Sequence, residues 1–181
     1  MQGRLLVSCL ALAAIALGCT TAKQSTAHTP SGAPGWRTLS NDVVGYSLSY
    51  PRGWKVAGRV VATQFASGAK CQSVRVVDRA TPSEVRQSLV QSCWRRVTDG
   101  SSLDSFMRKT YRGRLSRFFT KTTLGGVPAY RSRTAKSNRT FFLQARDYRV
   151  QIIAAVVAGP ARRALRQSQV NRILASLSVG R

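Results

Sequence analysis

LSRFFTKTTLGGVPAYRSRTAKSNRTFFLQARDYRVQIIAAVV, residues 115–157, is the stretch on which the fold turns. Gly125-Gly126 stands between two runs rich in β-branched and aromatic residues. A two-residue hairpin needs positive φ at both central positions, which glycine adopts without steric cost. The pattern predicts strands over Leu115 to Leu124 and Val127 to Ala135. Their register follows from the turn: Leu124 faces Val127, Thr122 faces Ala129, Thr120 faces Arg131 and Phe118 faces Arg133. Arg117 and Lys121 then fall on the opposite face, so the hairpin spreads its cations over both sides. A second hairpin is expected from Arg139 to Arg146 and Tyr148 to Val157 around Asp147. Alternation puts Tyr148, Val150, Ile152, Ala154 and Val156 on one face of its second strand.

Working outward, VVGYSLSYP (residues 43–51) reads as a strand stopped by Pro51 and the turn at Arg52-Gly53. Short strands follow at Trp54 to Ala57, Val60 to Phe65 and Cys71 to Asp78, the last two joined by Ala66 to Lys70. Thr81-Pro82-Ser83-Glu84 supplies an N-cap, a proline at the first helical position and a capping-box glutamate. With Val85, Leu89, Cys93 and Val97 spaced by four, it predicts a helix. A second helix, capped by Ser101 or Ser102, should bury Leu103, Phe106, Met107 and Tyr111 and turn Arg108, Lys109 and Arg112 outward. A last helix after Gly159-Pro160 carries the stripe Val170, Ile173, Leu174 and Leu177. Strands, helices, four strands and a helix give an α+β fold, an α/β/α sandwich with a central, mainly antiparallel sheet.

The N-terminus carries an address. Arg4 and the apolar run Leu5 to Leu17 have the form of a signal peptide over residues 1–18. Ile15-Ala16-Leu17-Gly18-Cys19 resembles a bacterial lipobox, which implies cleavage before Cys19 and attachment of acyl chains, palmitate among them, to that cysteine. Residues 19–35 form a Thr/Ser/Ala/Pro/Gly linker, and residues 36–181 form the domain. The expected location is a bacterial membrane facing the periplasm or cell exterior. Export also pairs the two remaining domain cysteines, Cys71 and Cys93, as a disulfide.

Composition narrows the chemistry. Lys and Arg total 29 against six Asp and Glu, a formal charge of +23, although charged residues make up only 19% of the chain. The excess therefore comes from missing acids. The one histidine, His28, lies in the linker, so no metal site or cofactor is expected and acid–base catalysis lacks its usual groups. No P-loop, GxSxG, HExxH or CxxC pattern is present. Asp99 and Asp104 read as helix-terminating and capping residues, Asp78 and Asp147 as strand-end residues.

Three segments together resemble the PsbP-like family. YSLSYPRGWKV (46–56) is similar to its opening strand and turn, TTLGGVPAYR (122–131) to its mid-domain hairpin, and RILASLSV (172–179) to its closing helix. The resemblance implies the α/β/α sandwich, in a family of photosystem extrinsic subunits, a Ran-binding factor and bacterial lipoproteins. It implies no shared catalytic residues.

The expected role is a non-enzymatic binding or accessory module of the cell envelope. Its partners would be anionic: lipid headgroups, an envelope polymer or an acidic protein, with no specific nucleic acid. Two sites are in view. Arg162, Arg163 and Arg166 begin the last helix in the angular sector of its core stripe, and are expected to overhang the sheet with their guanidiniums in water as an anion site. Tyr46, Tyr50, Trp54 and Trp94 either pack in the core or wall a cleft for a small ligand, the alternative carrier or enzyme reading.

Overall fold

The computed structural model describes residues 34–60, 69–79, 85–133 and 138–180. The signal-like segment, Cys19, His28, nearly all of the linker, most of the strand expected over Val60 to Phe65 and the Thr81–Glu84 capping box lie outside them.

Both glycines of the mid-chain turn have positive φ, 63° at Gly125 and 80° at Gly126. They join β6 (Phe119–Leu124) to β7 (Val127–Ser132) in the expected register, with Thr122 opposite Ala129 and Thr120 opposite Arg131. The strand starts later than expected, because Leu115–Phe118 is a single helical turn, α2. Next come β8 (Asn138–Ala145) and β9 (Tyr148–Ala155), paired antiparallel around a turn at Arg146 and Asp147.

The largest departure from expectation is residues 85–96. They form a strand, β5 (Val85–Arg96), not the first helix. β5 pairs along its whole length with β4 (Lys70–Arg79) and on its other side with β9. A spacing of four is shared by a helix face and by a strand face, since four is a multiple of two. The adjacent apolar pairs Leu89-Val90 and Cys93-Trp94 are what a strand packed on both faces requires.

With the edge strand β3 (Lys55–Val60), these elements make a seven-stranded antiparallel sheet ordered β3-β4-β5-β9-β8-β7-β6. A smaller sheet unites β1 (Trp36–Asn41), β2 (Tyr46–Pro51) and a short closing strand, β10 (Ser178–Val179). No sequence expectation covered β1, and the segment likened to a closing helix ends as β10. The last helix, α3 (Pro160–Ala175), lies in the same layer as the small sheet. Between that layer and the large sheet sits the main core, with Val74, Val90, Val150 and Ile152 from the sheet, Leu48 from β2 and Val170 and Ile173 from α3.

On the opposite face, α1 (Leu103–Tyr111) and α2 cover β6, β7 and β8. Leu103, Met107, Phe119, Tyr130 and Phe142 form the second core there. Ser102 caps α1 by accepting from the Ser105 amide at 3.2 Å. The layers are therefore helix, antiparallel sheet, and helix with a small sheet: an α+β sandwich.

Candidate functional site

With so few acids, where each one goes largely decides the electrostatics. Asp78, next to last in β4, lies 5% exposed beneath the start of α3. Its Oδ2 accepts from Arg166 Nε at 2.8 Å, and its Oδ1 accepts from Arg166 Nη2 and from Arg162 Nη1, the latter at 2.9 Å. Arg166 Nη1 in turn donates to Gln169 Oε1 at 2.8 Å, which also accepts from Trp54 Nε1 at 3.3 Å. A bidentate guanidinium–carboxylate pair of this kind satisfies both groups in fixed geometry.

This corrects the expected arginine triplet. Arg166 is buried, 9% exposed. Its sector was read correctly as the core sector, and Asp78 is the partner that makes burial possible. Arg162 has a largely exposed side chain but reaches the same carboxylate, and Arg163 is exposed. The helix end is occupied by an anion belonging to the chain itself.

The Arg166 hydrogen bonds, against the opposing effect of burial, hold Asp78 down from an ordinary 3.8 to about 2. A carboxylate whose pKa falls on folding stabilises the native state above its unfolded pKa. That contribution should be complete above about pH 4 and decline by about 2 kcal/mol as pH approaches 2. Urea midpoints measured from pH 5 to pH 2 should show the decline, and Asp78→Asn should make it shallower, leaving the share of Asp99 and Asp104. An unchanged slope in the variant would refute the assignment.

Asp99 is exposed and accepts from the Ser101 amide at 3.1 Å, Ser101 Oγ at 2.9 Å and Arg149 Nη2 at 2.8 Å. The Ser101 bonds chiefly, then Arg149, bring it down to about 2. Arg149 lies 4.3 Å over the Phe106 ring, fixing the approach to α1 against β9.

Asp104, in the first turn of α1, accepts from Lys121 Nζ at 2.7 Å and from the Tyr130 hydroxyl at 2.8 Å. This trio borders a cavity of about 300 Å³ also lined by Ser102, Thr122 and Gln144. Lys121 holds Asp104 below the usual carboxylate range, and Asp104 raises Lys121. Burial first, then Asp104, raises the Tyr130 phenol. Asp104 and Lys121 are held charged and Tyr130 is held as the neutral phenol, so the trio is a fixed charge pair with a hydroxyl donor that can orient a polar ligand. Sequence reading missed it. The signal was the hairpin register, which sets Lys121 opposite Tyr130 on the face that α1 covers.

For the aromatic quartet the core alternative holds and the cleft alternative falls. Tyr46, Tyr50 and Trp54 are each 4% exposed and belong to the main core. The Tyr46 hydroxyl meets Ser92 Oγ and donates to Gln72 Oε1 at 3.4 Å, and burial raises its pKa. Trp94 is half-buried with its ring edge-on to Tyr46 at 6.3 Å. The rings fill the space that the alternative reading left for a ligand.

Cys71 and Cys93 are bridged, with Cα atoms 4.1 Å apart, directly across from one another on β4 and β5. The bridge joins two strands, not a strand to a helix. Among the described residues no group of three or more His, Cys, Asp or Glu side chains comes together, and no helix is long and apolar enough to cross a membrane.

No protein-family model matches the chain, and no curated protein matches it. Among solved structures, the solution structure of cyanobacterial PsbP from Synechocystis sp. PCC 6803 is similar, with a TM-score of 0.42 and 13% identity over 83% of this chain and 95% of that chain.

Proposed function

We propose that the protein is an exported, lipid-anchored module of the cell envelope that binds anionic partners and performs no catalysis. The observation that carries this reading is how the acids are used. Asp78, Asp99 and Asp104 each bind cations inside the domain, while most of its arginines remain on the surface. The net charge, +23 for the whole chain and one less once Arg4 leaves with residues 1–18, projects a positive field that draws lipid headgroups, acidic polymers or acidic proteins. The neutral-pH charge states of Asp104, Lys121 and Tyr130 support binding over proton transfer.

Anchoring is tested at Cys19. The mature wild-type N-terminus should carry a diacylglyceryl mass on Cys19, and Cys19→Ala should move the protein out of the membrane fraction or stall its processing. An unmodified mature N-terminus in the mass spectrum would overturn the anchor.

A further inference from the structure

Between Asp104 and Asp147 the sequence contains no acidic residue. Within that interval Arg108, Lys109, Arg112, Arg114 and Arg117 follow one another across α1 and α2, and all five are exposed. Arg112 caps α1 with φ of 30° and Gly113 follows at 75°, so the chain reverses direction within two residues. The Arg114 amide then donates to the Tyr111 carbonyl at 2.8 Å, and α2 folds back against α1. Tyr111 holds the reversal, its ring 6.4 Å from Phe118 and 4.7 Å from Phe119. The cations of two helices are thereby gathered on one corner, above half-buried rings.

This corner differs from the start of α3. There, Asp78 consumes the guanidiniums. Here, among the described residues, no salt bridge ties any of the five to a carboxylate. The nearest acid on the same helix, Asp104, is one turn from Arg108 and already bound to Lys121 and Tyr130. Arg117 lies 5.8 Å from the Phe118 ring, so charge and partly exposed aromatic carbon occur side by side. A surface meeting only a soluble polyanion has no use for the second component. The boundary between headgroups and acyl chains accommodates both.

We propose that the α1–α2 corner docks the domain face-on to an anionic phospholipid surface, its cations on headgroup phosphates and the Phe118 ring edge at the headgroup boundary. The proposal rests on the anchored-module reading above, because attachment at Cys19 would keep the corner close to lipid. Residues 20–35 reach at most about 55 Å when extended, more than the roughly 35–40 Å width of a domain of this size. The corner can therefore meet the bilayer whichever side of the domain the chain leaves from.

The test uses the full chain carrying Cys19→Ala, so that acyl chains play no part, and compares partitioning onto phosphatidylglycerol-containing and pure phosphatidylcholine vesicles. The N-terminal apolar run contributes to both, and the ratio reads the charged surface. Arg108→Gln, Lys109→Gln, Arg114→Gln and Arg117→Gln together should lower that ratio by at least about tenfold, since cations held at an anionic surface carry most of the attraction, which fades within a Debye length. Removing four exposed cations elsewhere (Arg37, Arg52, Arg75 and Arg163, each to Gln) should lower it by threefold or less. A variant with lysine at 108, 114 and 117 should bind like the parent, which separates lost charge from lost folding. Equal losses in the two glutamine sets would overturn the proposal, as would a corner set that weakens binding to soluble polyphosphate while leaving vesicle binding intact. Because no lipid is attached in this assay, its failure is distinct from failure of the Cys19 reading, which the N-terminal mass decides.

Discussion

Asp78→Ala should lower the free energy of unfolding by about 3–5 kcal/mol, the largest effect expected of any single substitution in the domain. The substitution leaves Arg166 buried under α3 with its Nε and Nη2 donors stripped of their acceptor and its charge uncompensated. The reverse change, Arg166→Met, should cost less, because Asp78 keeps Arg162 and methionine fills much of the vacated volume. Asp78→Leu combined with Arg166→Met should recover most of the loss seen with Asp78→Ala, as apolar replacement of both members of a buried pair commonly does. Urea denaturation of these three variants, with Asp78→Leu alone added, closes the cycle. A cost below about 1 kcal/mol for Asp78→Ala would mean that Arg166 finds water as readily as it finds Asp78.

Reducing the Cys71–Cys93 bridge should cost about 3 kcal/mol, from the chain entropy regained by a cross-link spanning a sequence separation of 22. Reduction leaves both buried cysteine side chains in place, so the difference reads the cross-link rather than a cavity. The effect should be local as well as global. β3 pairs only with β4, and the bridge staples β4 to β5 close to the Arg59–Val60 end of that pairing. Amide exchange in the reduced protein should therefore accelerate first in β3 and the Lys70 end of β4, before β8 or β9. Identical exchange patterns in the two redox states would show that strand pairing alone holds this edge.

What the sequence disclosed depended on range. The Gly125-Gly126 hairpin, its register, the β8–β9 pair, α1 and the start of α3 are all set by neighbours a few residues apart, and each was readable. β5 was misread because VRQSLVQSCWRR satisfies helical and extended periods together. Only its place between β4 and β9, with apolar neighbours on both faces, decides which period counts. Trp36–Asn41 and Ser178–Val179 gave no signal of their own, since both are strands by virtue of pairing with β2.

The candidate site divides in the same way. The angular position of Arg166 was legible from the helix alone, but its partner lies on a strand far earlier in the chain, and no local pattern links them. For the aromatic quartet both a core and a cleft were legible, and only β2 packed face to face with the large sheet decides for the core.

The short closing strand has a consequence for the order in which the chain can fold. Val179 donates to the Gly125 carbonyl at 3.1 Å and Gly180 to the Gly45 carbonyl at 2.8 Å, while β10 completes the small sheet beside Tyr46. Residues from near the beginning, the middle and the end of the domain meet in this one seam. The hairpins can form early from local contacts, whereas the seam demands closure of nearly the longest loop the domain contains, an entropic debt settled late. Until α3 and β10 are available, the main-core face of the large sheet is covered only by β1 and β2, and Asp78 has neither of its α3 arginines. A chain stopped short of Val170 would hold most of its strands and lack the Val170, Ile173 and Leu177 part of the covering layer. Folding of the domain is therefore expected to finish only once α3 and β10 are both available.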